Sequence, residues 1–146
     1  MRLTERCAFA ALAALCALPA FGQQQKSVDG VVINLGLMSA ERAVHAAGHR
    51  DMHPEKFPSG SQHVLITLAD EKTGRRIGDA EVQLEVRDPK GVRAAKALLH
   101  TSAAGMPDYS ELFVFGWSGS YTLDVNITPL KGGKPVKTRF TVQHSL

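Results

Sequence analysis

The chain has 146 residues, 44% of them hydrophobic and 21% charged, with 13 glycines, 7 prolines and a formal charge of +3 at neutral pH. Those proportions exclude a collagen-like repeat, a coiled coil and a wholly disordered polymer, and they suit one ordinary globular core.

The first 22 residues, MRLTERCAFAALAALCALPAFG, place Arg2 and Arg6 ahead of an apolar run from Cys7 to Ala20 and close on Ala20 and Gly22. A charged front, a short apolar middle and small residues at the exit are the layout of a secretory signal peptide. The run is shorter than the roughly 20 residues a helix needs to cross a bilayer, and no later stretch is long or apolar enough to span one. Export with cleavage after Gly22 is therefore expected, with a bacterial periplasm as the destination. Lipid anchoring at Cys16 is not expected, because Leu15 precedes it where a small residue is needed. Both cysteines, Cys7 and Cys16, lie in this segment, so the rest of the chain forms no disulfide in a compartment that would permit one. Setting aside Arg2, Arg6 and Glu5 takes the 17 basic and 14 acidic residues to 15 and 13. That balance, with basic residues alternating with acids near turns, argues against nucleic acid as a partner.

Residues 23–27, opening on Gln23, Gln24 and Gln25, are expected to form a flexible tail, and residues 28–146 one domain. From Val28 onward the dominant period is two, which marks strands with one buried face. Val31, Ile33, Leu35 and Leu37 are the inward phase of the first strand. A loop over 38–63 follows, carrying most of the histidines. If Ala40 onward is helical, His45, His49 and His53 share a face. Gly48 reads as a helix stop with Pro54 and Pro58 close behind, which leaves His49, Met52 and His53 on a loop.

Val64, Ile66 and Leu68 mark the second strand, with His63 at its mouth. Between Asp79 and Asp88, Ala80, Val82, Leu84 and Val86 alternate with Glu81, Gln83, Glu85 and Arg87. The segment Arg93–Thr101 has helix-forming composition but sits between strands, and an edge strand is expected there. A short strand covers Leu112–Phe115. The clearest one covers Tyr121–Thr128, and the last holds Val136, Phe140 and Val142. Turn sequences at 72–74, 88–91, 117–119 and 131–134 separate them. About seven strands at this spacing predict an all-β, immunoglobulin-like antiparallel β-sandwich. Tyr121, just after Trp117-Ser118-Gly119-Ser120, stands where a side chain can hydrogen-bond back across a corner of such a sandwich. A plain first core residue fits the same position.

The text from Gln62 to Gln143, with HVLITLADEKTGRRIGDAEVQLEV, YSELFVF, GSYTLDVNI and PVKTRFTVQH, resembles the YtkA-like domains of bacterial exported and membrane-tethered proteins. That resemblance implies a small immunoglobulin-like sandwich, of a kind sometimes found near metal-handling genes.

Four of the six histidines fall between His45 and His63, where an even spread would place about one. Imidazole nitrogen and thioether sulfur together select a soft metal such as copper, above all Cu(I), over calcium or magnesium. His63 is expected as the rigid, strand-borne ligand, with His49, Met52 and His53 closing over it and Met38 and His100 as additions. A polar surface loop that is merely rich in histidine stays open as the alternative, as do packing roles for Met38 and Met106 and a surface role for His100.

No HExxH, GxSxG or phosphate-binding glycine loop occurs, so no catalysis is expected. The expected function is an exported accessory protein that binds copper for capture or transfer, with an envelope metal-handling protein as partner. The alternative is a periplasmic protein-interaction module without metal.

Overall fold

The computed structural model describes residues 24–46, 56–103 and 105–146. Among these residues, nine strands and one short helix run in the order β1 (Gln24–Val28), β2 (Val31–Ser39), α1 (Ala40–Ala46), β3 (Ser61–Asp70), β4 (Ala80–Arg87), β5 (Arg93–Ala97), β6 (Leu99–Ala103), β7 (Met106–Val114), β8 (Gly119–Pro129) and β9 (Val136–His144). Every pairing is antiparallel, in a five-stranded sheet β1-β2-β3-β7-β6 and a four-stranded sheet β5-β4-β8-β9. The two pack face to face as an all-β sandwich, as the alternation predicts.

The inward phases meet between the sheets. Ile33, Leu35, Val64, Ile66 and Leu68 from one side face Val82, Leu84, Leu123, Val125 and Phe140 from the other, all at most 2% exposed. Burying each such side chain contributes about 1.5–3 kcal/mol. The outward phase of β4 and β8 is polar throughout, from Glu81 to Arg87 and from Thr122 to Thr128.

The corner at Tyr121 forms as expected. Its hydroxyl donates to the Trp117 carbonyl at 2.9 Å and accepts from the Trp117 amide at 3.0 Å, while its ring stacks on Phe115 with centroids 4.2 Å apart. One buried side chain thus fixes both the turn before β8 and the end of β7.

Three expectations are corrected. Residues 24–27, expected in a flexible tail, belong with Val28 to strand β1, joined to β2 through Asp29 and Gly30 at φ 48° and 79°. Two consecutive positive φ angles are the mark of the tight hairpin turn. The segment 93–101 is not one edge strand. β5 pairs with β4 and β6 pairs with β7, so the chain changes sheets at Leu98, which is 7% exposed and anchored by its amide to the Val82 carbonyl at 2.8 Å. These two differences turn about seven strands into nine. The strand expected at Leu112–Phe115 also begins earlier, at Met106, because its first half pairs with β6. The export segment, the Gly48 helix stop, and His49, Met52 and His53 lie outside the described residues.

Candidate metal centre

β2 and β3 pair so that Met38 stands directly opposite His63, and His63 in turn stands opposite Leu112 of β7. Since Val64, Ile66 and Leu68 fill the interior, the alternating residues His63, Leu65 and Thr67 face away from it, and Met38 and Leu112 share their side. Directly opposed residues in an antiparallel pair have Cβ atoms about 4.5–5.5 Å apart, close enough for a thioether and an imidazole to meet at one ion. Met38 is 36% exposed. The Nδ1 atom of His63 is buried and has no hydrogen-bond partner among the described residues. Burial pushes the His63 imidazole below its ordinary pKa, against an opposing pull from the Asp108 and Glu111 carboxylates. Burial thus favours the neutral form of the ring, the state a metal ligand needs.

Local structure holds this pair at one end of the five-stranded sheet. At the close of β2, Ser39 Oγ accepts from the Arg42 amide at 3.3 Å, the capping contact that starts α1. Ala40 and Val44 are 3% and 7% exposed, so one side of this helix is buried, while His45 is exposed. The chain returns through Pro58, whose carbonyl accepts from the amide and hydroxyl of Ser61 at 3.1 and 2.7 Å. Gly60 accepts from the Phe115 amide at 2.8 Å. Residues 47–55, with three of the expected ligands, connect these two fixed points.

His100 is not brought to the pair. It sits in β6 opposite Tyr109, whose ring is buried in the interior, and the two ring centroids are 5.2 Å apart. His63 and Met38 are on the other face of the same sheet. Met106, 55% exposed, begins β7 at the opposite end. His144, which the sequence did not single out, ends β9 among the rings of Phe115 and Tyr121, at 5.5 and 6.0 Å, with Nε2 buried and without a partner among the described residues. Its signal was the period of two through Phe140 and Val142, carried one step further. Among the described residues, no three His, Cys, Asp or Glu side chains converge as a metal site would require. No helix among them is long and apolar enough to cross a membrane.

No family model and no curated protein matches the sequence, so the YtkA-like resemblance has no support at that level. Solved structures do match. A DUF4426 family protein from Pseudomonas aeruginosa aligns with a TM-score of 0.65 at 12% identity, over 84% of this chain and 94% of its own. FetP from uropathogenic Escherichia coli aligns at 0.65 and 11%, over 84% and 93%, and a copper-bound FetP variant is similar as well. Copper-reconstituted P19 from Campylobacter jejuni aligns at 0.62 and 16%, over 86% and 94%. At such low identity the likeness is one of fold: the chain is a two-sheet antiparallel sandwich of the kind these proteins share.

Proposed function

We propose that this chain is an exported bacterial protein of the periplasm that binds copper for capture or transfer, without catalysis. The carrying observation is the cross-strand pair of Met38 and His63, with a buried His63 nitrogen that no group among the described residues satisfies. An unsatisfied buried polar atom costs about 1–3 kcal/mol, and a bound ion would remove that cost. The copper-bound and copper-reconstituted forms of two proteins with this fold support the same cargo. His49, Met52 and His53 complete the donor set from the segment that connects α1 to β3. His100 is left out, because it belongs to the other face of the sheet. Copper is cargo here, held by a thioether and neutral imidazoles that suit Cu(I).

Titration of the mature protein with Cu(I) and Cu(II) tests this. Thermal stability is expected to rise with free copper, by about 2.7 kcal/mol at a hundredfold excess over the dissociation constant. Replacing Met38 and His63 together, or His49, Met52 and His53 together, by Ala is expected to abolish the rise while leaving the far-ultraviolet spectrum unchanged. A folded protein that shows no shift at saturating copper refutes the proposal. The reading without metal, an interaction module, would then lead, on the strength of Leu99 and Val114, which are 63% and 54% exposed at the β6 and β7 side.

A further inference from the structure

The two ends of the sandwich interior are closed differently. Where β8 begins, three rings pack together, with Phe115 stacked on Tyr121 at 4.2 Å and His144 edge-on to both. At the far end the sheets part around a cavity of about 290 Å3. Its lining is aliphatic: Val31 of β2, Leu68 of β3, Ile77 and Ala80 at the entry to β4, Ile127 of β8 and Val136 of β9. Leu68, Ala80, Ile127 and Val136 belong to the buried core, and the partly buried Val31 and Ile77 pack against it nearer the mouth.

Local sequence accounts for the space. The turn between β8 and β9 crosses this end with Gly132 and Gly133 at φ 86° and 132°, and a Cβ on Gly132 would meet nothing within 4 Å. On the facing side the Tyr109 hydroxyl donates to the Ile77 carbonyl at 3.4 Å and accepts from the Ala80 amide at 3.2 Å, which keeps the segment 77–80 from collapsing inward. The mouth carries two carboxylates and two cations, Asp70, Asp79, Arg75 and Lys131. Asp79 pairs with Lys131 at 3.1 Å, and Asp70 is engaged by the Lys72 and Thr73 amides and the Thr73 hydroxyl. Charge at the mouth is therefore balanced and offers an ion no net attraction.

Packed interiors leave few voids larger than a water molecule, and an aliphatic cavity of about 150 Å3 stays dry and takes up benzene. This one has about twice that room. We propose that it binds an uncharged apolar molecule of about ten non-hydrogen atoms, such as a fused or alkyl-substituted aromatic ring. The ligand lies between the sheets against Leu68, Ile127 and Val136, and the ion pair of Lys131 with Asp79 closes over it. The cavity is at the end of β2 and β3 remote from Met38 and His63, and is independent of copper.

Nuclear magnetic resonance titration of the mature protein with indole, and with glucose as a polar molecule of similar size, tests it. Millimolar indole is expected to shift the methyl signals of Val31, Leu68, Ile127 and Val136, and to leave in place those of Val64 and Val86 toward the other end of the interior. Val136→Phe fills the cavity from β9 and should remove the shifts. Because a larger side chain can disturb a packed core, Lys131→Ala serves as a second variant: its side chain is 85% exposed, and its loss should speed indole release while the pattern of shifted signals stays the same. No methyl shift at millimolar indole, the same shifts with glucose, or undiminished binding by a folded Val136→Phe protein would each overturn the proposal. An unchanged release rate in Lys131→Ala would overturn the closing role of the ion pair.

Discussion

Tyr121 does more than fill space. Its side chain is fully buried, and its hydroxyl serves as both donor and acceptor to the one residue, Trp117, that begins the turn into β8. Tyr121→Phe keeps the ring and its stacking on Phe115 but strands the amide and carbonyl of Trp117. Its expected cost is about 1–3 kcal/mol, because an unmet polar group is penalised more than an ordinary hydrogen bond is rewarded. Urea denaturation measures it, and a loss below about 0.5 kcal/mol would show that water replaces the hydroxyl at no cost. This corner was readable in the sequence because turn and strand are adjacent in the chain. The Met38 and His63 pair was only half readable. Each residue could be assigned a strand, but the register that sets one opposite the other depends on the whole β2 and β3 ladder, from Val31 against Asp70 to Ser39 against Gln62.

Elements whose apolar residues alternate were readable for the same local reason, and β4, β8 and β9 sit where the period of two puts them. The elements that were misread lack that signal. β1, QQKSV, has no apolar residue before Val28 and is a strand only because β2 offers it an edge. The β5 and β6 segment has helix-forming residues, and its division at Leu98 follows from the need to pair with both sheets, which tertiary structure alone imposes. The approach to β3 is governed by a contact of the same long-range kind. Gly60 has φ 80°, and a Cβ there would collide with the Phe115 carbonyl oxygen. Gly60→Ala is therefore expected to cost at least about 1–3 kcal/mol from backbone strain, and to weaken the copper response more than a destabilised variant elsewhere, such as Leu98→Ala, because Gly60 lies three residues before His63. Paired measurements of urea stability and copper-induced thermal shift separate the two effects. A Gly60→Ala protein with an undiminished copper shift would remove this turn from the placement of the ligand.

A sandwich without cysteines beyond its first 22 residues has to protect its sheet edges by side chains alone, since an open edge is a template for pairing with another chain. On one side the molecule does this by bringing β1 and β9, the edges of its two sheets, together. Gln24 Nε2 donates to the Thr141 carbonyl at 2.7 Å, Lys26 Nζ donates to the Arg139 carbonyl, and the Lys26 ammonium also lies 5.4 Å from the centroid of the Phe140 ring. The carbonyls of β9 that a foreign strand would use are thereby occupied. On the other side β5 and β6 are short, and β5 carries Arg93 and Lys96, the latter tied to the Leu112 carbonyl at 2.6 Å. Short length and charge protect that edge instead. The double substitution of Gln24 and Lys26 by Ala leaves the core untouched but frees the β9 carbonyls. Losing two exposed hydrogen bonds at about 0.5–1.5 kcal/mol each should lower the thermal midpoint by about 3–8 °C, and the freed edge should raise the sedimentation coefficient as protein concentration increases. Replacing Arg93 and Lys96 by Ala should leave the thermal midpoint nearer to that of the parent and still promote association, through the opposite edge. If the Gln24 and Lys26 variant melts with the parent and stays monomeric at every concentration, the β1 side chains are not what closes the sandwich on that side, and the protection of β9 has to come from its own outward residues.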